Sequence, residues 1–150
     1  MDIVNERVNI LIEQPNRKYW TYTSLKWLVW FNIFTTILHY VDNILFFAHY
    51  PEPTWLNPTL VDAFWFVMTP FALLALWLIK HQRLYWGLVS VVLYCLMSLL
   101  VLGHYLIPSE HISLKIHAFI WLEALAAIGL LTYVMGYVQM TKPFTLKNGA

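Results

Sequence analysis

The chain has 150 residues, of which 60% are hydrophobic, 17% aromatic and only 11% charged, with a formal net charge of +1. Soluble domains average about 25% charged residues, so this composition suits a surface that faces lipid rather than water. The small net charge argues against nucleic acid as a partner, because nucleic-acid binding needs a clustered basic face. A single cysteine, Cys95, excludes an internal disulfide and a Cys-rich zinc motif.

The first twenty residues mix charged, polar and apolar side chains. Within residues 1–14 the apolar positions recur at helical spacing, which predicts a short amphipathic helix on the membrane surface. No continuous apolar core is present there, so we expect no cleavable signal peptide. Cations and aromatic rings then follow in Arg17, Lys18, Tyr19 and Trp20, a combination typical of an interfacial anchor.

Four apolar spans follow, at residues 25–50, 60–80, 84–106 and 113–137. Each reaches the roughly 20 residues that a helix needs to cross about 30 Å of hydrocarbon. The connections between them are short and contain prolines or charged residues, which favours neighbouring helices that run antiparallel. The sequence therefore predicts a single-domain, all-α protein, an integral membrane up-down four-helix bundle.

The distribution of cations predicts the orientation of this bundle. With four spans, eight of the nine cations fall on one side of the membrane, namely Arg7, Arg17, Lys18, Lys26, Lys80, Arg83, Lys142 and Lys147. Lys115 falls on the other side. Cytoplasmic loops carry an excess of Lys and Arg, so we expect both termini in the cytoplasm.

Each span carries polar residues on one face. On the first span, six of them lie within about 80° of His39 when projected at 100° per residue: Asn32, Thr35, Thr36, Asp42, Asn43 and His49. Ionisable groups within hydrocarbon are costly and usually face the bundle interior or a cavity. Depth matching predicts that His39 and Glu123 form one layer, with Asp42 and His117 in a layer nearer the outer surface, and His104 and Asp62 at the outer mouth.

A metal site is the first functional hypothesis for these residues. Imidazole and carboxylate groups suit divalent transition metals such as zinc or iron. The candidate ligands are His39, Asp42, His104 and His117; the sequence has no His-x-x-x-His or Glu-x-x-His pair, so the three histidines would come from three helices. A b-type haem held by two histidines is a variant of this hypothesis.

The second hypothesis is a pocket for an apolar small molecule. Aromatic residues with a few convergent polar groups are typical of such sites, and Trp55, Tyr94 and Trp121 are the candidate lining residues. A buried carboxylate can act as a general acid or base beside a histidine. Glu123 and Asp42 are therefore the candidate catalytic residues.

Several features of the first three spans resemble the EXPERA family, four-helix membrane proteins that include sterol isomerases and sterol-binding regulators. They are Asp42 late in the first span, the Pro53-Thr54-Trp55 loop, Thr69-Pro70 in the second span and Tyr94 in the third. The resemblance covers residues 42–94. It implies a sterol pocket lined by intramembrane carboxylates and a histidine, for which His39, Asp42 and Asp62 are the corresponding candidates.

Three further interpretations stay open. The polar side chains could simply hold the helices together, since hydrogen bonds between membrane helices contribute about 0.6 kcal/mol each on average. A transport or proton-relay role would require oligomers, because one chain of four spans is small for alternating access. The chain could also be a homo-oligomer or an accessory subunit of a larger membrane complex. Both site hypotheses require the ionisable side chains to converge.

Overall fold

The computed structural model describes residues 21–50, 55–106 and 112–141, and this part of the chain is helical and contains no strand. Its elements are α1 (Tyr22–Leu45), α2 (Pro58–Lys80), α3 (Leu84–Ser98) and α4 (Leu114–Thr141), with 3₁₀ segments at Phe47–His49 and Leu99–Leu106. The predicted amphipathic helix at residues 1–14 lies outside the described residues.

Four helical stretches in the described ranges are long and apolar enough to cross a membrane: Tyr22–Leu45, Pro58–Lys80, Leu84–Leu106 and Leu114–Gln139. They confirm the four predicted spans to within a few residues. The first begins earlier than predicted because the Thr21 hydroxyl accepts a hydrogen bond from the Ser24 backbone N–H at 3.1 Å. Such a cap satisfies a backbone donor that the first helical turn leaves unpaired.

Two hydrogen-bonded contacts show the relative direction of α1 and α4. At one end the Tyr133 hydroxyl donates to the Thr21 carbonyl at 3.0 Å. At the other, Lys115 at the start of α4 pairs with Asp42 near the end of α1. Opposite ends of α1 therefore contact opposite ends of α4. The end that holds Asp42 is called the site end below, and the end that holds Thr21 the opposite end.

Two apolar clusters fill the interior of the described structure. The larger joins all four helices through residues such as Val29, Met68, Val91 and Leu130. The smaller lies at the site end and includes Tyr50, Val101 and Ile120. Large apolar side chains also cover the outside, among them Trp27, Leu45, Phe66, Trp86 and Leu125. Apolar side chains of this size and number on the outside match the four helices that are long and apolar enough to cross a membrane.

Gly87 allows α3 to approach α2 closely. A Cβ atom at this position would overlap the side chain of Ile79 and lie 3.2 Å from the Ala75 carbonyl oxygen. Small residues let membrane helices pack backbone to backbone. Gly129 in α4 differs, because a Cβ atom there would meet nothing within 4 Å.

These two glycines give a matched test of the packing. We expect Gly87→Ala to destabilise the fold by about 1–3 kcal/mol, because the added methyl group overpacks the α2–α3 contact. Gly129→Ala should leave stability unchanged or raise it by about 1 kcal/mol, since alanine is the better helix former. Unfolding of the detergent-purified protein in a denaturing detergent measures both. Equal effects of the two substitutions would contradict this arrangement of α2 and α3.

Candidate functional site

A buried hydrogen-bonded group joins three helices near the site end. Nδ1 of His39 in α1 lies 2.8 Å from Oε2 of Glu123 in α4, and the Ser98 hydroxyl at the end of α3 donates to Oε1 at 3.1 Å. The side chains of His39 and Glu123 are only 3% and 1% exposed. The predicted layer of His39 and Glu123 is therefore confirmed as a direct contact. These three residues form the dyad cluster.

The donors around Glu123 define the roles within the dyad cluster. A buried carboxylate is costly unless it is paired and hydrogen-bonded. The Ser98 O–H donates to one oxygen of Glu123, and Nδ1 of His39 lies 2.8 Å from the other, where the histidine tautomer decides which atom donates. This arrangement fits an ionised carboxylate that accepts from the Nδ1–H of His39. The second ring nitrogen, Nε2, then has the opposite role from Nδ1 in the neutral imidazole.

A second polar group lies beyond the first, closer to the site end. Asp42 accepts a hydrogen bond from the Tyr50 hydroxyl at 2.8 Å and pairs with Lys115 Nζ at 2.7 Å. The Lys115 ammonium also lies 3.8 Å from the centroid of the Phe46 ring. The lysine side chain is 49% exposed, so the group is partly open. It ties the end of α1 to the start of α4, and we call it the latch.

Aromatic rings connect the latch to the dyad cluster. The Tyr50 ring stacks on the His39 imidazole with centroids 6.0 Å apart and an interplanar angle of 20°. His104, in the 3₁₀ segment after α3, lies 5.3 Å from His39 and 5.7 Å from Tyr50, centroid to centroid. Three rings from separate parts of the chain thus converge beside the buried carboxylate.

A cleft of about 480 Å³ opens beside these rings. Its wall is largely apolar and includes Trp55, Leu60, Phe64, Leu100 and Val101, with Gly103 at one edge. His39 and His104 belong to the same wall, as do Tyr40 and Asn43. Clefts of about 300–1,000 Å³ with an apolar wall and a few polar groups are typical of small-molecule sites.

The predicted metal ligands do not come together as a set. Asp42 is engaged by Lys115 and Tyr50, and His117 Nδ1 lies 2.8 Å from the Tyr105 hydroxyl. Among the described residues no group of three or more His, Cys, Asp or Glu side chains has an arrangement that could hold a metal ion. His39 and His104 remain close to each other, but two imidazoles fall short of the three or four protein ligands of a zinc site.

The predicted pocket residues are also divided. Trp55 lines the cleft. Tyr94 is instead fully buried in the larger apolar cluster, and Trp121 is 51% exposed on α4, where its ring lies near that of Tyr105. Asp62, a candidate from the family resemblance, is exposed. Of the two candidate catalytic carboxylates, Glu123 contacts a histidine and Asp42 contacts a lysine.

Sequence reasoning missed Ser98, Tyr50 and Lys115 as parts of the site. Ser98 lies four residues after Tyr94, one helical turn further along the polar face of the third span, and this spacing was a usable signal. Lys115 entered only as a charge in the orientation count. Lys115 lies 73 positions from Asp42 in the sequence, so their pairing could not be predicted without knowledge of how the helices pack.

Comparison with protein-family models, with curated proteins and with solved structures gives no match. The resemblance to the EXPERA family therefore stays a prediction from the residues that suggested it.

The two polar groups should differ in what they contribute to stability. Glu123→Leu leaves His39 and Ser98 buried without their acceptor, and removal of one partner from a buried pair costs about 3–5 kcal/mol. Lys115→Met removes a half-exposed cation from Asp42, which is 10% exposed but keeps the Tyr50 hydroxyl as a donor, so the loss should be smaller, about 1–2 kcal/mol. Denaturant unfolding in detergent measures both. Similar losses for the two variants would contradict the difference in burial.

Proposed function

We propose that this chain is an integral membrane protein, an up-down four-helix bundle with both termini in the cytoplasm. The contacts of Thr21 with Tyr133 and of Asp42 with Lys115 support antiparallel α1 and α4. The charge distribution supports the orientation, because Lys26, Lys80 and Arg83 lie toward the opposite end, whereas Lys115 lies at the site end. The positive-inside rule then places the site end, with its cleft, in the outer half of the membrane.

We further propose that the cleft binds a small apolar molecule, sterol-like or lipid-like, that carries one hydrogen-bonding group. The observation that carries this proposal is the pair of imidazoles, His39 and His104, in a cleft wall that is otherwise largely apolar. The apolar wall favours a hydrocarbon body, because it offers van der Waals contacts and few polar groups that such a body would leave unpaired. The imidazoles can each donate or accept a hydrogen bond and would fix the polar group of that molecule.

The dyad cluster favours proton transfer as the chemistry at this site. With Nδ1 of His39 committed to Glu123, the nitrogen left for a bound molecule is Nε2. A carboxylate that holds the imidazole in one tautomer and stabilises the imidazolium makes the histidine a better general base. In this proposal His39 accepts a proton from the bound molecule and returns it at another position, while Glu123 stays ionised. The reaction class is then an isomerisation or a proton exchange.

Two glycines allow the cleft to be tested without disturbing the dyad cluster. A side chain at Gly103 or at Gly129 would start from open space, but Gly103 borders the cleft and Gly129 lies elsewhere on α4. The probe is a photoactivatable sterol with a free hydroxyl group. We expect it to label peptides of the cleft wall, and Gly103→Phe should abolish this labelling because the ring fills the cleft. Gly129→Phe should label like the unsubstituted protein.

Two results would contradict the binding proposal. One is an absence of saturable labelling by the sterol and by a photoactivatable fatty alcohol alike. The other is equal labelling of the Gly103→Phe and Gly129→Phe variants, which would indicate nonspecific contact with the outer surface. A sterol probe whose hydroxyl is methylated should bind more weakly, since its oxygen no longer donates to an imidazole.

The proton-transfer role has a separate readout in heavy water. Detergent-purified protein is incubated in D₂O with a total lipid extract from its expression host, and deuterium in each lipid is measured by mass spectrometry. We expect one lipid class to gain deuterium, and His39→Gln to slow this gain by about a hundredfold or more, the usual contribution of a general base. His81→Gln serves as the control, because His81 is exposed and lies at the opposite end. Deuterium gain that is independent of His39 would exclude this role.

A further inference from the structure

A second groove, of about 440 Å³, lies at the opposite end of the bundle, away from the His39 cleft. Four elements form it: the start of α1, the turn after α2, the start of α3 and the last turns of α4. Residues from each contribute to its wall, among them Leu25, Lys80, Gln82, Leu88, Tyr133 and Val134. The dyad cluster and the latch contribute none of these residues.

The groove combines an apolar wall with polar and cationic side chains, as a site for an amphipathic lipid would. Leu25 and Val134 are buried at its apolar side, together with the partly buried Ile79 and Leu88. Tyr22 and Tyr133 also line the groove, and tyrosine rings are enriched at the boundary between hydrocarbon and headgroups. Their hydroxyls donate to the Leu76 and Thr21 carbonyls, so they connect helices and leave recognition of an anion to other donors.

Those donors come from the turn between α2 and α3, whose backbone is fixed. The Arg83 N–H donates to the Leu78 carbonyl at 2.9 Å and the Gln82 N–H to that of Ile79 at 3.1 Å. These two hydrogen bonds form a Schellman motif, in which the residue after the helix C-cap is left-handed, and Gln82 accordingly has a φ of 62°. The turn thereby holds Lys80 and Gln82 in the groove wall, where an ammonium and an amide can reach a phosphate.

Charge separates the two ends of the described structure. Its carboxylates, Asp42, Asp62 and Glu123, belong to the site end. Lys26, Lys80 and Arg83 lie toward the opposite end, and Lys80 forms no ion pair with any described residue. Within the part of the chain that the structure describes, the groove thus offers an unpaired cation beside an apolar wall, and its charge complement is an anion with a hydrocarbon chain.

We propose that this groove binds an anionic glycerophospholipid, with the phosphate at Lys80 and an acyl chain against Leu25, Leu88 and Val134. The site rests on the membrane placement proposed above, but it does not depend on the function of the His39 cleft. A Lys at an anionic surface contributes a modest, salt-sensitive attraction. Because the turn holds Lys80 beside the apolar wall, a lipid whose acyl chain occupies the groove brings its phosphate to the ammonium. We therefore expect anionic lipids to bind more tightly than neutral ones.

The test is native mass spectrometry of the detergent-purified full chain, titrated with phosphatidylglycerol and, in parallel, with phosphatidylcholine of the same acyl chains. We expect phosphatidylglycerol to bind more tightly. Lys80→Gln should weaken its binding about fivefold, the ratio that one interfacial lysine supplies, and should leave phosphatidylcholine unchanged. Lys26→Gln is the matched control, since it removes one cation from the same end without altering the groove wall.

Each other outcome overturns the proposal. Equal affinity for the two lipids would show that the groove does not read charge. Equal losses in Lys80→Gln and Lys26→Gln would show that net charge, rather than this groove, attracts the lipid. Thermal unfolding of both variants establishes that they are folded, and sterol labelling of the His39 cleft in the same preparations keeps the two sites separate.

Discussion

The hydrogen bond between His39 and Glu123 is the constraint on which the site end of this protein depends. In a membrane interior no water is present to satisfy a polar side chain, so an ionisable group must find its partner within the protein. His39 and Glu123 meet at 2.8 Å, with Ser98 on the second carboxylate oxygen. One residue comes from α1, one from α4 and one from the end of α3, so this contact fixes three helices at a single depth.

The surrounding structure follows from that contact. Beyond it, the latch of Asp42, Tyr50 and Lys115 closes the end of α1 against α4, and Tyr50 stacks on the imidazole that the carboxylate holds. On its other side the His39 imidazole borders the apolar cleft, where His104 joins it. Glu123 and Asp42 are thus each paired within the described structure, whereas the imidazoles of His39 and His104 border the cleft. That division supports the proposed binding and proton transfer at the cleft.

The four apolar helices and part of the candidate site could be predicted from the sequence. The reason is different for each. Twenty-residue apolar runs identify membrane-length helices by themselves, and the helical stripe through His39 with depth matching identified Glu123 as its layer partner. The same projection could have identified Ser98, which lies one helical turn after Tyr94. It could not reveal that Lys115 neutralises Asp42 or that Tyr105 engages His117. Those pairings depend on the rotation and shift of whole helices, which the packing sets.

The central claim, that Glu123 holds His39 in one tautomer inside the bundle, is tested most directly by ¹⁵N nuclear magnetic resonance of the histidine side chains in detergent. We expect a resonance pair assigned to His39 with the proton on Nδ1 and slow exchange with solvent. In Glu123→Gln this pair should change tautomer or broaden, while the His81 resonances stay in place because that residue lies at the opposite end. A His39 imidazole that carries its proton on Nε2, or that is unaffected by Glu123→Gln, would contradict the account.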